Sequence, residues 1–269
     1  MIPRSTDGKQ RVLSLSYGKD SMACLGAIEQ LGWPLDRIVT ADVWATDTIP
    51  ADLPPMVEFK DYADKMILER YGIEVEHFSV HSYESEFYRV KTQSRTNGNG
   101  NIYGWPFRNA PWCNSDLKMA ALSKANATQK GRIQYVGIAT DEPNRFHNLT
   151  NTKLSPLVDI GWTESDCRAW CESNDLLSQI YTKSARGGCW FCHNQGVQQL
   201  RQLRHDYPDL WALLLKWDAD SPYTFHADGH TVHDFDRRFA LEDEGLINKD
   251  EPFRWTMLDS ELNYRFEGF

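Results

Sequence analysis

An apolar run, Val12, Leu13 and Leu15, breaks at once into Ser16-Tyr17-Gly18-Lys19-Asp20-Ser21 and then into a helical repeat. Residues 11–16 read as a strand. Residues 20–31 read as a helix whose Met22, Leu25, Ile28 and Leu31 recur every three positions on one buried face. A strand handing over to a helix through such a turn aims the helix's first N–H groups, and the positive end of its dipole, past the strand's carboxyl end. Gly18 permits close backbone approach or a positive φ. Lys19 supplies a mobile cation, Ser16 and Ser21 can donate to phosphate oxygens, and Asp20 can hold Mg2+ or cap the helix. The stretch therefore reads as a pyrophosphate-binding loop. Its order excludes the Gly-x-x-x-x-Gly-Lys-Ser/Thr and Gly-x-Gly-x-x-Gly patterns.

The same alternation continues downstream. Residues 37–44 form a second strand, 56–70 a second helix and 73–80 a third strand, so a parallel sheet with helices on both faces is expected. Ligands of such sheets sit outside the carboxyl ends of the strands, where both the loop and Thr46-Asp47 fall. Residues 94–111 are rich in Gly and Asn and are expected to be a flexible segment over the site. Residues 114–126 read as a helix and 133–139 as a fourth strand ending in Thr140-Asp141-Glu142-Pro143-Asn144-Arg145. Thr163-Glu164-Ser165-Asp166 reads as a helix cap. A shift toward Trp, Cys and His divides the chain into an α/β domain, 1–156, and a mostly helical C-terminal subdomain, 157–269.

With 269 residues, 41% of them apolar, the chain can build a sizeable core, and no stretch approaches a membrane span. The first ten residues lack an apolar signal core, so a cytoplasmic protein is expected. Its cysteines are then thiols or metal ligands rather than disulfides. The net charge of −9 disfavours a broad, non-specific grip on nucleic acid. Gly187-Gly188-Cys189-Trp190-Phe191-Cys192-His193 holds a Cys-x-x-Cys knuckle suited to Zn2+ or an iron–sulfur cluster. Cys113, opening a helix, is the expected third ligand, with His193, Cys171 and Cys167 as candidates for the fourth. Cys167 and Cys171, four apart on one helix, read first as core thiols, and Cys24 as packing.

Four ordered blocks carry a resemblance. They are Ser16 to Ser21, Trp112-Cys113-Asn114-Ser115-Asp116-Leu117-Lys118, Ser155-Pro156-Leu157 with Trp162 to Asp166, and Arg186 to Cys192. Over residues 11–217 the chain resembles the phosphoadenylylsulfate (PAPS) reductase-like branch of the PP-loop ATP pyrophosphatase superfamily, with Tyr17 where the signature has its first Gly. The resemblance implies an adenine nucleotide alpha-hydrolase-like fold and an enzyme that adenylates an acceptor with ATP and Mg2+, releasing pyrophosphate. It also implies sulfur transfer aided by an iron–sulfur cluster on Cys113, Cys189 and Cys192, with His193 beside them. Tyr17 belongs to the nucleotide loop. Ser16, Gly18, Lys19 and Ser21 would hold the pyrophosphate and Asp20 the Mg2+, with Lys19, Asp20 and Ser21 as the catalytic set. Asp47 and Asp141 are candidate metal or ribose contacts, and Arg145 and Arg186 candidate clamps. Asn114 replaces the second cysteine of the iron–sulfur reductases, no cysteine follows Cys192, and His193 stands where a Pro is common. The alternatives are a sulfonucleotide reductase and a non-catalytic nucleotide-binding module with structural Zn2+. The acceptor would be a small molecule or nucleic acid, no membrane is involved, and relatives in this branch are often homodimers.

Overall fold

In the computed structural model, the residues described are 2–92, 100–107, 111–126, 131–182 and 187–258. The chain forms two compact units, Met1–Ser85 with Trp112–Trp190, and Glu86–Pro111 with Phe191–Phe269.

The first unit is built on five parallel strands. In chain order its elements are β1 (Arg11–Ser14), α1 (Lys19–Leu31), β2 (Arg37–Ala41), α2 (Pro54–Tyr71), β3 (Val75–Phe78), α3 (Tyr83–Phe87, which runs across the unit boundary), a π-helix at Asn114–Met119 leading into α4 (Ala120–Asn126), β4 (Ile133–Tyr135), β5 (Lys153–Leu154), α5 (Pro156–Ile160) and α6 (Glu164–Ser173). The strand order is β3-β2-β1-β4-β5, every pair parallel. Period-two alternation sorts the strand side chains to two faces. Leu13, Leu15 and Ile38 share one apolar cluster with Met22, Leu25 and Ile28 of α1 and Met56, Phe59 and Ile67 of α2. Val12 and Val39, one residue out of phase, meet Leu122 and Ala125 of α4 on the other face. Each fully buried Leu or Ile here contributes roughly 2 kcal/mol over its exposed state.

The helices begin and end where local chemistry dictates. Pro54 sits in the first turn of α2, and Gly32 and Gly72 end α1 and α2 at φ 64° and 65°. Thr163 and Asp166 close a reciprocal capping box on α6. Residues 157–190, which composition grouped with the C-terminal part, pack in the sheet-bearing unit, with α5 and α6 both against α1. The Trp and Cys enrichment there is explained by that interface: Trp162 and Trp170 pack onto the core, and Cys24, Cys167 and Cys171 are buried in it. Burial pushes the Cys171 thiol up to about 12, and its Sγ donates to the Lys19 carbonyl at 3.2 Å.

The second unit carries α7 (Val197–Asp206), α8 (Pro208–Asp220) and α9 (Val232–Asp243) around Trp105, Trp217, Phe225, Phe235 and Phe239. Trp105 Nε1 donates to Asp218 Oδ1 at 2.9 Å. Of the segment expected to be flexible, 94–99 and 108–110 lie outside the described residues. Its described part places Trp105 in this core, with 1% exposed. No described helix is long and apolar enough to cross a membrane.

α1 and α6 touch closely at one point. A Cβ on Gly26 would stand 2.2 Å from the Trp170 indole. Ala at an exposed helical Gly stabilises by about 1 kcal/mol. Gly26→Ala is expected instead to destabilise, by roughly 1–3 kcal/mol in denaturant unfolding, through overpacking.

Candidate functional site

β1 stops at Ser14, and the chain turns through Ser16 and Tyr17 into α1. Tyr17 holds φ at 56°, a left-handed value rare for a bulky side chain. Gly18 enters the helix in extended backbone and, lacking a side chain, offers no cap of its own to the first turn. Ser21 Oγ donates to the Gly18 carbonyl at 3.0 Å and accepts the Ser16 N–H at 3.1 Å. The Ser16 hydroxyl lies 3.0 Å from Ser21 Oγ, so the two serines brace the loop from inside. Just past β4, Gly137 lies under the same turn. A Cβ there would stand 2.7 Å from Ser21 N and 2.8 Å from the Asp20 carbonyl carbon.

A cleft of ≈ 320 Å3 opens at the carboxyl ends of β1 and β2. Ser16 and Gly18 bound it on one side, and Thr40, Ala41 and Val43 on another. Met56, Leu122 and Ala51 add apolar surface, and Lys60, Asp52 and Lys118 add charge. Tyr181 closes over the loop, its hydroxyl accepting the Lys19 N–H at 3.2 Å. Gly187, Gly188 and Cys189 complete the lining.

Behind the cleft runs a chain of alternating charges. Lys60 Nζ pairs with Asp52 at 2.7 Å and Asp42 at 3.0 Å. His77 bridges Asp42 through Nδ1 at 2.7 Å and Asp64 through Nε2 at 2.9 Å. The Tyr17 hydroxyl donates to Asp64 Oδ1 at 2.6 Å. Hydrogen bonds to Asp42 and Asp64 push His77 up to about 9 against the opposing cost of burial. Burial penalises the charge on Asp42, but His77 and Lys60 outweigh it and hold the carboxyl below its ordinary value. Burial opposes the Lys60 charge too, and Asp52 and Asp42 overcome it.

The structure distributes the expected site residues unevenly. Ser16, Gly18 and Cys189 line the cleft. Lys19 Nζ turns to Asp20 at 2.8 Å and Glu164 at 2.7 Å, outside the cleft lining. Burial raises the Asp20 carboxyl above its ordinary value, more than the Lys19 contact lowers it. Asp47 accepts the Ser82 hydroxyl at 2.8 Å in an exposed loop, and Asp141 accepts the Glu164 N–H at 3.0 Å at the start of α6. Arg145 pairs with Glu142 at 2.7 Å. Arg186 lies outside the described residues. Cys113 and Cys189 belong to the first unit, Cys192 and His193 to the second. Among the described residues, no three His, Cys, Asp or Glu side chains gather to hold a metal ion. Lys60, Asp52, Gly137 and Tyr181 carried no signal in the sequence, because their roles arise only from long-range contact.

No protein-family model matches the chain. No curated protein matches it. Among solved structures it is similar to the U34-tRNA thiolase NcsA from Methanococcus maripaludis with its [4Fe-4S] cluster, at 13% identity and a TM-score of 0.42, over 81% of this chain and 72% of that one.

Two outcomes follow from this geometry. Gly137→Ala forces Ser21 and Asp20 to shift, so it is expected to destabilise the protein by roughly 1–3 kcal/mol in denaturant unfolding. His77 faces Asp42, Asp64 and Tyr17, with Lys60 on the far side of Asp42. Its folded pKa is raised, so its stabilising contribution is complete below its ordinary value of 6.5 and is lost as pH rises through about 9. Denaturation across that range should show a decline in wild type that His77→Gln lacks.

Proposed function

We propose that the cleft binds ATP with Mg2+ and that the protein is a PP-loop enzyme that adenylates an acceptor. The observation that carries this is the cleft's two-sided lining. The serine-braced loop at the start of α1 meets apolar residues from β2, α2 and α4 in one space of ≈ 320 Å3. Phosphates suit the first side, through N–H groups and the helix dipole. A purine suits the second.

An acceptor oxygen attacks the α-phosphorus, the bond to the bridging oxygen breaks, and pyrophosphate leaves. Such a displacement depends on positioning and charge neutralisation more than on acid–base chemistry. Ser16, Ser21 and the Gly18 backbone hold the leaving pyrophosphate. Asp20 is the carboxylate beside the loop for the metal that accompanies the nucleotide. Lys19 reaches the phosphates by leaving Glu164, a half-exposed partner whose pairing costs little to break. A sulfur nucleophile for the second step, displacing AMP, is supported by Cys189 in the cleft wall.

The test is product analysis with α-labelled ATP. AMP and pyrophosphate in equal amounts are expected, with AMP release rising on addition of sulfide. Ser21→Ala and Asp20→Ala should each slow the reaction at least tenfold without unfolding the protein. ADP as product, or unchanged turnover in both variants, overturns the assignment.

A further inference from the structure

Tyr17 is a backbone outlier with an unusually complete set of restraints. It stands at φ 56°, a conformation that costs an ordinary residue about 1–2 kcal/mol and that glycine adopts freely. Both neighbours, Ser16 and Gly18, line the cleft, whereas Tyr17 points the other way and is fully buried. Its hydroxyl donates to Asp64 of α2 at 2.6 Å and lies 3.3 Å from His77 Nε2 of β3. Its ring lies over the imidazole with centroids 6.3 Å apart, and Lys60 Nζ stands 5.2 Å from the ring centroid. Asp64 is in turn held by His77, and His77 by Asp42. The side chain is therefore bonded to two elements outside the loop, α2 and β3.

We propose that Tyr17 is the positioning residue of the phosphate-binding loop, its Asp64- and His77-anchored phenol imposing the left-handed turn that sets Ser16 and Gly18 on the cleft. The proposal rests on reading that loop as the nucleotide's phosphate site. Strain at one residue is tolerated because the surrounding contacts over-determine it. The gain is preorganisation: the loop does not have to be ordered when the anion arrives. A glycine would permit the same φ but would leave the loop free to sample others.

Tyr17→Phe removes only the hydroxyl, Asp64→Leu removes its acceptor together with the carboxylate that His77 Nε2 also meets, and Asp64→Asn keeps an acceptor oxygen. Two readouts separate positioning from plain stability: ATP affinity by calorimetry, and amide hydrogen exchange of residues 15–21 without nucleotide. Tyr17→Phe and Asp64→Leu should each weaken ATP roughly tenfold, the value of a hydrogen bond to a charged group. Both should speed exchange in the loop. Asp64→Asn should retain most of the affinity. The double variant Tyr17→Phe/Asp64→Leu should be no weaker than Asp64→Leu alone, since the Tyr17–Asp64 contact is already cut there. Unchanged affinity and unchanged loop exchange in Tyr17→Phe, or additive losses in the double variant, would overturn the proposal, even with a lowered Tm. If wild type binds no ATP yet Tyr17→Phe speeds loop exchange, the anchor stands and the nucleotide reading falls.

Discussion

The first unit is organised around one backbone contact, the approach of Gly137 to the first turn of α1. Past β4 the chain runs so close beneath Ser21 that no side chain fits between them. β1 and β4 are neighbours in the sheet, and the strand order reverses beside β1. At such a reversal, connections leave in opposite directions and a crevice is left at the carboxyl ends. Gly137 lets the start of α1 sit down into that position. With α1 placed, Gly26 can meet Trp170, α6 is fixed, and Asp141 satisfies the N–H of Glu164 at its start.

Electrostatics then takes over from packing. Asp52, Lys60, Asp42, His77 and Asp64 alternate in sign, so each charge is partly neutralised by its neighbours. An isolated ammonium or carboxylate as enclosed as Lys60 or Asp42 would tend to discharge. In this chain each keeps its charge because the next one is in place. The ends differ in kind: Asp52 and Lys60 face the cleft, while at the far end the Tyr17 phenol, kept neutral by burial and by Asp64, reports to the loop backbone. Rigid connections of this sort suit a site that must hold its shape before a ligand arrives.

Much of the first unit was legible in the sequence because its signals are local. The apolar run at Val12 to Leu15, the three-residue recurrence from Met22 to Leu31 and the cap at Thr163 each depend on a few adjacent residues, and each element lies where those residues put it. β5, only Lys153–Leu154, offers too short a pattern to read. The candidate site divides along the same line. Ser16 and Gly18 were legible from their position after a strand, whereas Lys60 is one lysine on an amphipathic helix and gains meaning only from Asp42 and Asp52. Asp141 and Arg145 follow a strand, and the partners they meet in the fold, the Glu164 N–H on Asp141 Oδ1 and Glu142 on Arg145, are not visible from that position alone. Tyr17 read as a departure from a glycine pattern, and its bond to Asp64, 47 positions away, is invisible to any local rule.

The Tyr181 hydroxyl gives the loop an unusual starting condition. It already accepts the Lys19 N–H, so the first turn of α1 is met by a neutral oxygen of the protein itself. An incoming group must displace that oxygen, and a neutral hydroxyl or carbonyl exchanges one ordinary hydrogen bond for another with no net return. A phosphoryl oxygen exchanges it for a charge-assisted bond about twice as strong. If the loop holds phosphate as proposed, the tyrosine sets a threshold there that favours an anion over a neutral group.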